Sequence, residues 1–325
     1  MSAASVVSSV STAGIEPRDR LAFWEHYNAE ALVGLTCSSY VAEGLVASEL
    51  NLDVGGFRVA NIAGNAHVIE RAPQLVRERP KDAVFASVLL EGDAFFYHSE
   101  GCATLGAGDV IVYETDVPYL FGFSSTMRQI LVDVPRSVFE ERCAPTPGVP
   151  LKVAADGVGP AAVTARALRR MLLGLVEDPG AAQHSTGDHL LDLLGTMTAG
   201  KGTPNGAAHL LSAKEFIATH LGDFDLCTDR VAYAVGVTSR HLNRAFATEG
   251  TTVAQYIQGR RLEAARLDLT SPSMEGHRIA DIAGRWGFAS QAHFTRLFRA
   301  RFGSTPSEER GSVRPVPRRT SRDGA

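Results

Sequence analysis

No run of eighteen apolar residues occurs in the 325-residue chain, so no helical stretch of it is suited to crossing a bilayer, and no membrane role is expected. Residues 1–16 are rich in Ser, Ala and Val but lack the basic start and sustained apolar core of a secretory signal, and they read as a disordered leader. Cysteine is scarce. Cys37, Cys102, Cys143 and Cys227 lie far apart, with no C-x-x-C pair and no His at zinc-finger spacing. That argues against a metal knuckle or a disulfide framework and fits a reducing cytoplasm.

Catalytic signatures are missing as well. Gly101-x-x-x-x-Gly106 is not followed by Lys-Ser/Thr, no G-x-G-x-x-G opens a helix, and no G-x-S-x-G elbow occurs. His26, His67 and His98 are scattered, and His98-Ser-Glu100 is the nearest approach to a His-x-His metal pair. No catalytic residue, metal or cofactor is therefore expected. The alternative is an unrecognised or metal-independent enzyme to which a second, non-catalytic module is appended.

What is present is an asymmetry of charge. The formal net charge of -4 combines 15 Lys+Arg against 24 Asp+Glu in residues 1–209 with 17 against 12 in residues 210–325, a net of -9 followed by +5. Only the C-terminal part suits a polyanion. At 45% apolar residues the chain can bury two ordinary cores.

Residues 17–150 read as short strands after a helix over Arg18 to Leu32. Apolar runs such as Ala83-Val-Phe-Ala-Ser-Val-Leu-Leu90 and Gln129-Ile-Leu-Val-Asp-Val134 alternate with Gly, Pro and Asp turns. Such spacing favours a barrel or sandwich. Within Ala94-Phe-Phe-Tyr-His98, Phe95 and Tyr97 share one face and Phe96 and His98 the other. Whichever face points inward could line a ligand cavity with Tyr113, Phe121 and Phe123, and Phe95, Tyr97, Tyr113 and Phe121 are taken as the ligand set. Residues 151–200 turn helical, with stripes Ala167-Leu168-Met171-Leu172-Leu175 and Leu190-Leu191-Leu193-Leu194-Met197. They could pack under the barrel or pair two subunits. A linker over 201–208 and a disordered basic tail over 311–325 flank a helical region, 209–310.

That region contains a degenerate repeat. Val231-Ala232 and Gly236 match Ile282-Ala283 and Gly287 at an offset of 51, whereas Leu242, Arg244 and Phe246 match Phe294, Arg296 and Phe298 at 52. The second copy therefore has one extra residue at its turn. Each copy has the pattern of a helix-turn-helix: a small Ala for close approach, a Gly turn, Val237 or Phe288 in the angle, and Thr238, Ser239 or Ser290 to cap the second helix. Polar side chains remain on the outer faces: Arg240, His241, Asn243 and Arg244, then Gln291, His293 and Arg296. Arg pairs with guanine and Asn or Gln with adenine in the major groove. A helix from Val253 to Leu269, about 25 Å long, would join the units at a spacing suited to adjacent grooves.

Ile279-Ala-Asp-Ile-Ala-Gly-Arg-Trp-Gly-Phe-Ala-Ser-Gln-Ala-His-Phe-Thr-Arg-Leu-Phe-Arg-Ala-Arg-Phe-Gly-Ser-Thr-Pro306, with Arg261-Leu-Glu-Ala-Ala-Arg266, resembles the AraC/XylS family of transcription regulators. The resemblance implies base contacts from Arg240, Asn243, Arg244, Gln291 and Arg296, with Arg299 and Arg301 as phosphate or structural contacts. Asp268 departs from the apolar residue usual there. Gly108-Asp109, Asp116-Val-Pro-Tyr119 and Val134-Pro-Arg136 resemble the family's cupin-like effector domain. The expected molecule is thus a two-domain α+β protein, with an N-terminal cupin-like β-barrel and flanking helices and a C-terminal all-α double helix-turn-helix. The resemblance implies a homodimer that binds double-stranded DNA at two adjacent half-sites, takes a small-molecule effector, meets RNA polymerase and acts as an activator.

Overall fold

In the computed structural model, which describes residues 4–143, 148–183, 185–198 and 206–312, the β-branched and aromatic runs form strands. These are β1 (Ser5–Ser11), β2 (Thr36–Ser38), β3 (Ala47–Asp53), β4 (Arg58–Gly64), β5 (His67–Arg71), β6 (Ala83–Glu91), β7 (Ala94–His98), β8 (Gly101–Leu105), β9 (Val110–Glu114), β10 (Tyr119–Phe123), β11 (Met127–Pro135) and β12 (Leu151–Val153). They build two antiparallel sheets, one ordered β1-β3-β4-β11-β6-β9-β12 and the other β2-β5-β10-β7-β8. Helices α1 (Arg20–Ala31), α2 (Pro73–Glu78), α3 (Arg136–Arg142), α4 (Pro160–Glu177) and α5 (Thr186–Thr198) accompany the sheets. The rest is helical: α6 (Gly206–Thr219), α7 (Thr228–Ala234), α8 (Ser239–Ala247), α9 (Val253–Thr270), α10 (Ile279–Arg285), α11 (Gln291–Phe302) and α12 (Pro306–Ser312). Two compact units divide near residue 215.

Strand β6 shows why its sequence is apolar without alternation. Val84, Ala86, Val88 and Leu90 face a core shared with Phe139 of α3, Leu168 and Leu172 of α4, and Leu190 and Leu194 of α5. Phe85 and Leu89 face the second core, between the sheets, with Trp24, Phe96, Tyr113 and Phe121. A strand buried on both faces has no solvent side to carry polar residues. The apolar stripes of α4 and α5 therefore pack under the seven-stranded sheet of their own chain.

The motifs at the edges of this unit are held by charge. Asp109 accepts hydrogen bonds from the N–H groups of Gly106 (3.0 Å) and Ala155 (2.7 Å) and pairs with Lys152 (3.0 Å). Burial raises its carboxyl pKa, but these donors outweigh burial and hold it below the usual range. Arg136 bridges Asp82 (2.6 Å), Glu114 (2.8 Å) and Asp116 (2.7 Å), so two motifs far apart in sequence meet at one guanidinium.

Four boundaries differ from the sequence expectation. Within the supposed disordered leader, Ser5–Ser11 pair with β3 from Ser5↔Asp53 to Ser11↔Ser48. The buried Thr12 hydroxyl continues the tie, donating to Leu45 O (3.0 Å) and accepting from Ala47 N (2.8 Å). Val6 and Val7 are exposed, so this edge strand rests on backbone pairing and leaves little apolar pattern. The sheet also passes residue 150, because β12 pairs with β9. In the linker expected over 201–208, α6 already starts at Gly206, and residues 201–205 lie outside the described residues; α12 reaches Ser312 within the expected tail, of which 313–325 also lie outside them.

Glu49 of β3 is 1% exposed, and burial pushes its carboxyl up to about 7, against weaker opposing pulls from Asn51, 2.6 Å away, and Arg58. The folded state thus holds this proton more tightly than the unfolded chain, whose carboxyl titrates near 4.5. Its stabilising contribution is complete below that value and is lost as pH rises through about 7. The melting temperature of the N-terminal unit is expected to fall between pH 5 and 8 by calorimetry, and Glu49→Gln to flatten the fall; an equal slope in the variant would assign it to other groups.

Candidate functional site

The second unit begins from a local rule applied twice. Gly236 and Gly287 have φ of 75° and 74°, a left-handed conformation that side chains disfavour. After each, the chain folds back so that Val237 N donates to Ala232 O and Phe288 N to Ala283 O, both at 3.0 Å. Ala232 and Ala283 are buried where a larger side chain would separate the helices. Beyond this shared turn the copies fall out of step by one residue. Thr238 caps α8 by accepting from His241 N (3.2 Å), and Ser290 caps α11 by accepting from His293 N (3.4 Å). The extra residue of the second copy is therefore Ala289. Ser239 is not the cap of the first copy, and its hydroxyl bonds to Asp229 instead.

Both units lean on α9. Its start carries a capping box between Thr252 and Gln255, and its 18 residues span about 27 Å. Leu262, Ala265 and Leu269 join Ile282, Ala283, Phe288, Phe294 and Phe298 in the second unit's core. Arg261 donates to Leu221 O (3.0 Å) and Asp223 O (2.6 Å). Its guanidinium also lies against Gly287, where a Cβ would come within 2.7 Å of it and oblige the arginine to shift, in addition to the strain that the φ imposes. Asp268 replaces the expected apolar contact with a polar one. It accepts from Trp286 Nε1 at 2.9 Å and lies 3.6 Å from the Arg285 guanidinium.

The outer faces sort the sequence candidates. Arg240 and Arg244 on α8, and Gln291, His293 and Arg296 on α11, are exposed. His241 is half-buried, with Nδ1 3.3 Å from the Arg244 guanidinium. Asn243, expected to contact a base, accepts with Oδ1 from Val253 N at 3.3 Å, which ties the recognition helix to the start of α9. Arg301 is exposed and pairs with Glu263 of α9 at 2.5 Å. Arg299 lines an open groove with Gln291, Ala292, Thr295, Arg296, Ala300 and Thr305. Thr295 escaped the sequence reading, although Gln291, Thr295 and Arg299 follow the four-residue spacing of one helix face.

In the first unit, alternation along β7 puts Phe96 inside, with its ring centroid 4.7 Å from Tyr113 and 5.2 Å from both Tyr119 and Phe121. The expectation that Phe95 and Tyr97 line a ligand cavity is thereby corrected. Tyr97 is 52% exposed, and Phe95 lies over Gly122, where a Cβ would come within 2.1 Å of its ring. Phe121 is fully buried as core filling, and of the four candidates Tyr113 alone lines the interior cavity, together with Trp24, His67, Tyr119, Phe123 and Gln129. That cavity is about 20 Å³, room for roughly one water.

A pair of helix-turn-helix units with arginines on matching outer faces, carried beside a double-sheet barrel domain, defines the class of one-chain DNA-binding regulators. The AraC-binding-like domain family matches residues 34–198, and the helix-turn-helix domain family matches residues 231–312. The chain belongs to the AraC/XylS family of transcription regulators. It is 26% identical over 273 residues to the transcriptional activator NphR of Rhodococcus sp, covering 78% of this chain and 77% of that one. Over 149 residues it is 30% identical to the XylDLEGF operon transcriptional activator of Pseudomonas putida, covering 42% of this chain and 46% of the relative. Among solved structures, the AraC-like transcriptional activator CuxR aligns with a TM-score of 0.50 at 19% identity, covering 80% of this chain and 95% of that chain, a likeness of fold. Among the described residues, no helix is long and apolar enough to cross a membrane.

Asn243→Ala is expected to cost about 1 kcal/mol of stability in denaturant unfolding, the worth of one lost hydrogen bond at a helix start. Unchanged stability with altered preference at one base pair would instead make Asn243 a reader of DNA.

Proposed function

We propose that this protein is a cytoplasmic, homodimeric transcriptional activator that reads two adjacent half-sites of double-stranded DNA through α8 and α11 and responds to a small organic effector in its barrel. The observation that carries the reading is the repeated outer face: Arg240 and Arg244 on one recognition helix, Gln291 and Arg296 on the other, both backed by α9. The length of α9, about 27 Å, suits helices entering successive major grooves about 34 Å apart. Arg296 and Gln291 contact bases, and Arg299 meets phosphate. His241 and His293 flank these contacts. Activation is supported by two relatives that are both named activators, and contact with RNA polymerase is part of the proposal. Residues 209–310 act as the DNA-binding part and residues 17–150 as the sensor, with the helices up to 198 relaying its state and offering a surface for the second subunit.

The decisive experiment selects bound fragments from a genomic DNA library with the purified protein, at stated salt, with and without metabolites. Two short motifs about one helical turn apart are expected; recovery of no preferred sequence from folded protein would overturn the reading. On the selected site, Arg296→Ala is expected to weaken binding by about 1–3 kcal/mol and to relax one base position. Equal loss on all sequences would make Arg296 a phosphate contact. Affinity should fall steeply with salt as counterions are released, and a flat response would count against DNA as the ligand.

A further inference from the structure

The interior cavity of the barrel is walled by rings and by uncharged polar groups. Trp24, Phe85, Tyr113, Tyr119 and Phe123 supply rings, and no Lys, Arg, Asp or Glu is among its lining residues. Three polar residues on this wall have one end committed. His67 Nδ1 lies 2.7 Å from Asn65 O, which can only accept, so the ring proton sits on Nδ1 and Nε2 is left as an acceptor. Gln129 Oε1 takes the Ser87 hydroxyl proton at 2.6 Å, which makes its amide nitrogen the donor end. Asn28 Nδ2 donates to Trp24 O at 3.0 Å and leaves Oδ1 as an acceptor.

A second cavity, also about 20 Å³, lies beyond the same two tyrosines and is lined by Phe96, His98, Val117 and Pro118. Tyr113 and Tyr119 wall both spaces. Their rings stand 5.0 Å apart at 70°. They form a partition. A benzene-sized guest needs about 150 Å³, so neither space admits one until the partition moves.

Resting on the reading of the barrel as the effector site, we propose that the effector is a small, uncharged, monocyclic aromatic compound bearing a hydroxyl group, which enters by displacing the Tyr113–Tyr119 pair and donates its hydroxyl to His67 Nε2. The ring stacks among Trp24, Phe123 and the displaced tyrosines. A carboxylate or ammonium ligand would find no charged partner on the lining, because the buried Arg71 near Tyr119 is committed to the carbonyls of Thr115, Gly34 and Arg79 and Asp133 to Lys81, and it is disfavoured. A sugar would bring more hydroxyls than these few polar atoms can satisfy.

The chain has two tryptophans, so Trp286→Phe leaves Trp24 as the reporter. The full-length variant is titrated with phenol, benzoate and glucose at pH 7.5 by emission, with calorimetry on the unaltered chain in parallel in case the variant folds poorly. Phenol is expected to give a saturable change, benzoate and glucose to bind at least 100-fold more weakly, and His67→Ala to weaken phenol about tenfold. His67→Gln serves as a second variant if the alanine form does not fold. Tyr119→Ala is expected to speed phenol association several-fold. Benzoate or glucose acting at Trp24 with phenol silent would overturn the ligand class and leave the effector reading standing. Silence of all three probes by emission and heat would also overturn the class, and the effector reading is then judged by whether any metabolite alters DNA recovery. Phenol binding unaffected by both His67 variants would place the ring elsewhere and overturn the proposal.

Discussion

Everything the C-terminal unit can do depends on the rigidity of α9. Two short recognition helices, of nine and twelve residues, would be marginal alone. They hold position because each buries an apolar face and because polar ties run from α9 to its surroundings. Asn243 fastens α8 to the α9 start, Arg301 fastens α11 to Glu263, and Asp268 and Arg261 grip the second helix-turn-helix near its turn. Most of these ties sit at the edge of an apolar core, where a charged partner with few alternatives holds a definite geometry. The arginines that remain exposed are the ones free to meet a polyanion.

The two recognition helices are equivalent in backbone and unequal in chemistry. In the first, Asn243 is tied to α9 and Asp229 stands against Ser239 at the helix start, so Arg240 and Arg244 carry its outer charge. In the second, Gln291, Thr295, Arg296 and Arg299 share one open groove. One insertion, Ala289, separates the turns without disturbing the backbone bond that precedes it. The repeat preserves the frame and lets the reading surfaces diverge.

The N-terminal unit obeys a different constraint. A seven-stranded sheet covered on one face by helices and on the other by a second sheet must be apolar on both sides, and β6 shows the result. Among the described residues, two spaces of about 20 Å³ each share Tyr113 and Tyr119 in their walls. A core so packed has room for a guest only where part of it moves.

Much of this was legible in the residues themselves. Helix-turn-helix geometry is local: a glycine at a left-handed turn, an alanine at a close approach and a hydroxyl at a cap are dictated within about twenty residues, so the repeat, the extra turn residue and the outward arginines could be read directly. Tertiary structure decided what depends on residues distant in the chain. Ser5–Ser11 became a strand because β3 offered an open edge, which backbone bonds satisfy without any apolar signature. Alternation along β7 showed that Phe95 and Phe96 face opposite ways, but only the packing of the seven-stranded sheet against it determined that Phe96 points inward and Phe95 and Tyr97 do not. That Asn243 also holds the start of α9 and that Arg301 pairs with Glu263 appear only in the tertiary structure. Local backbone requirements are written in sequence, whereas the direction of a face and the partner of a side chain are set by whichever element packs against it.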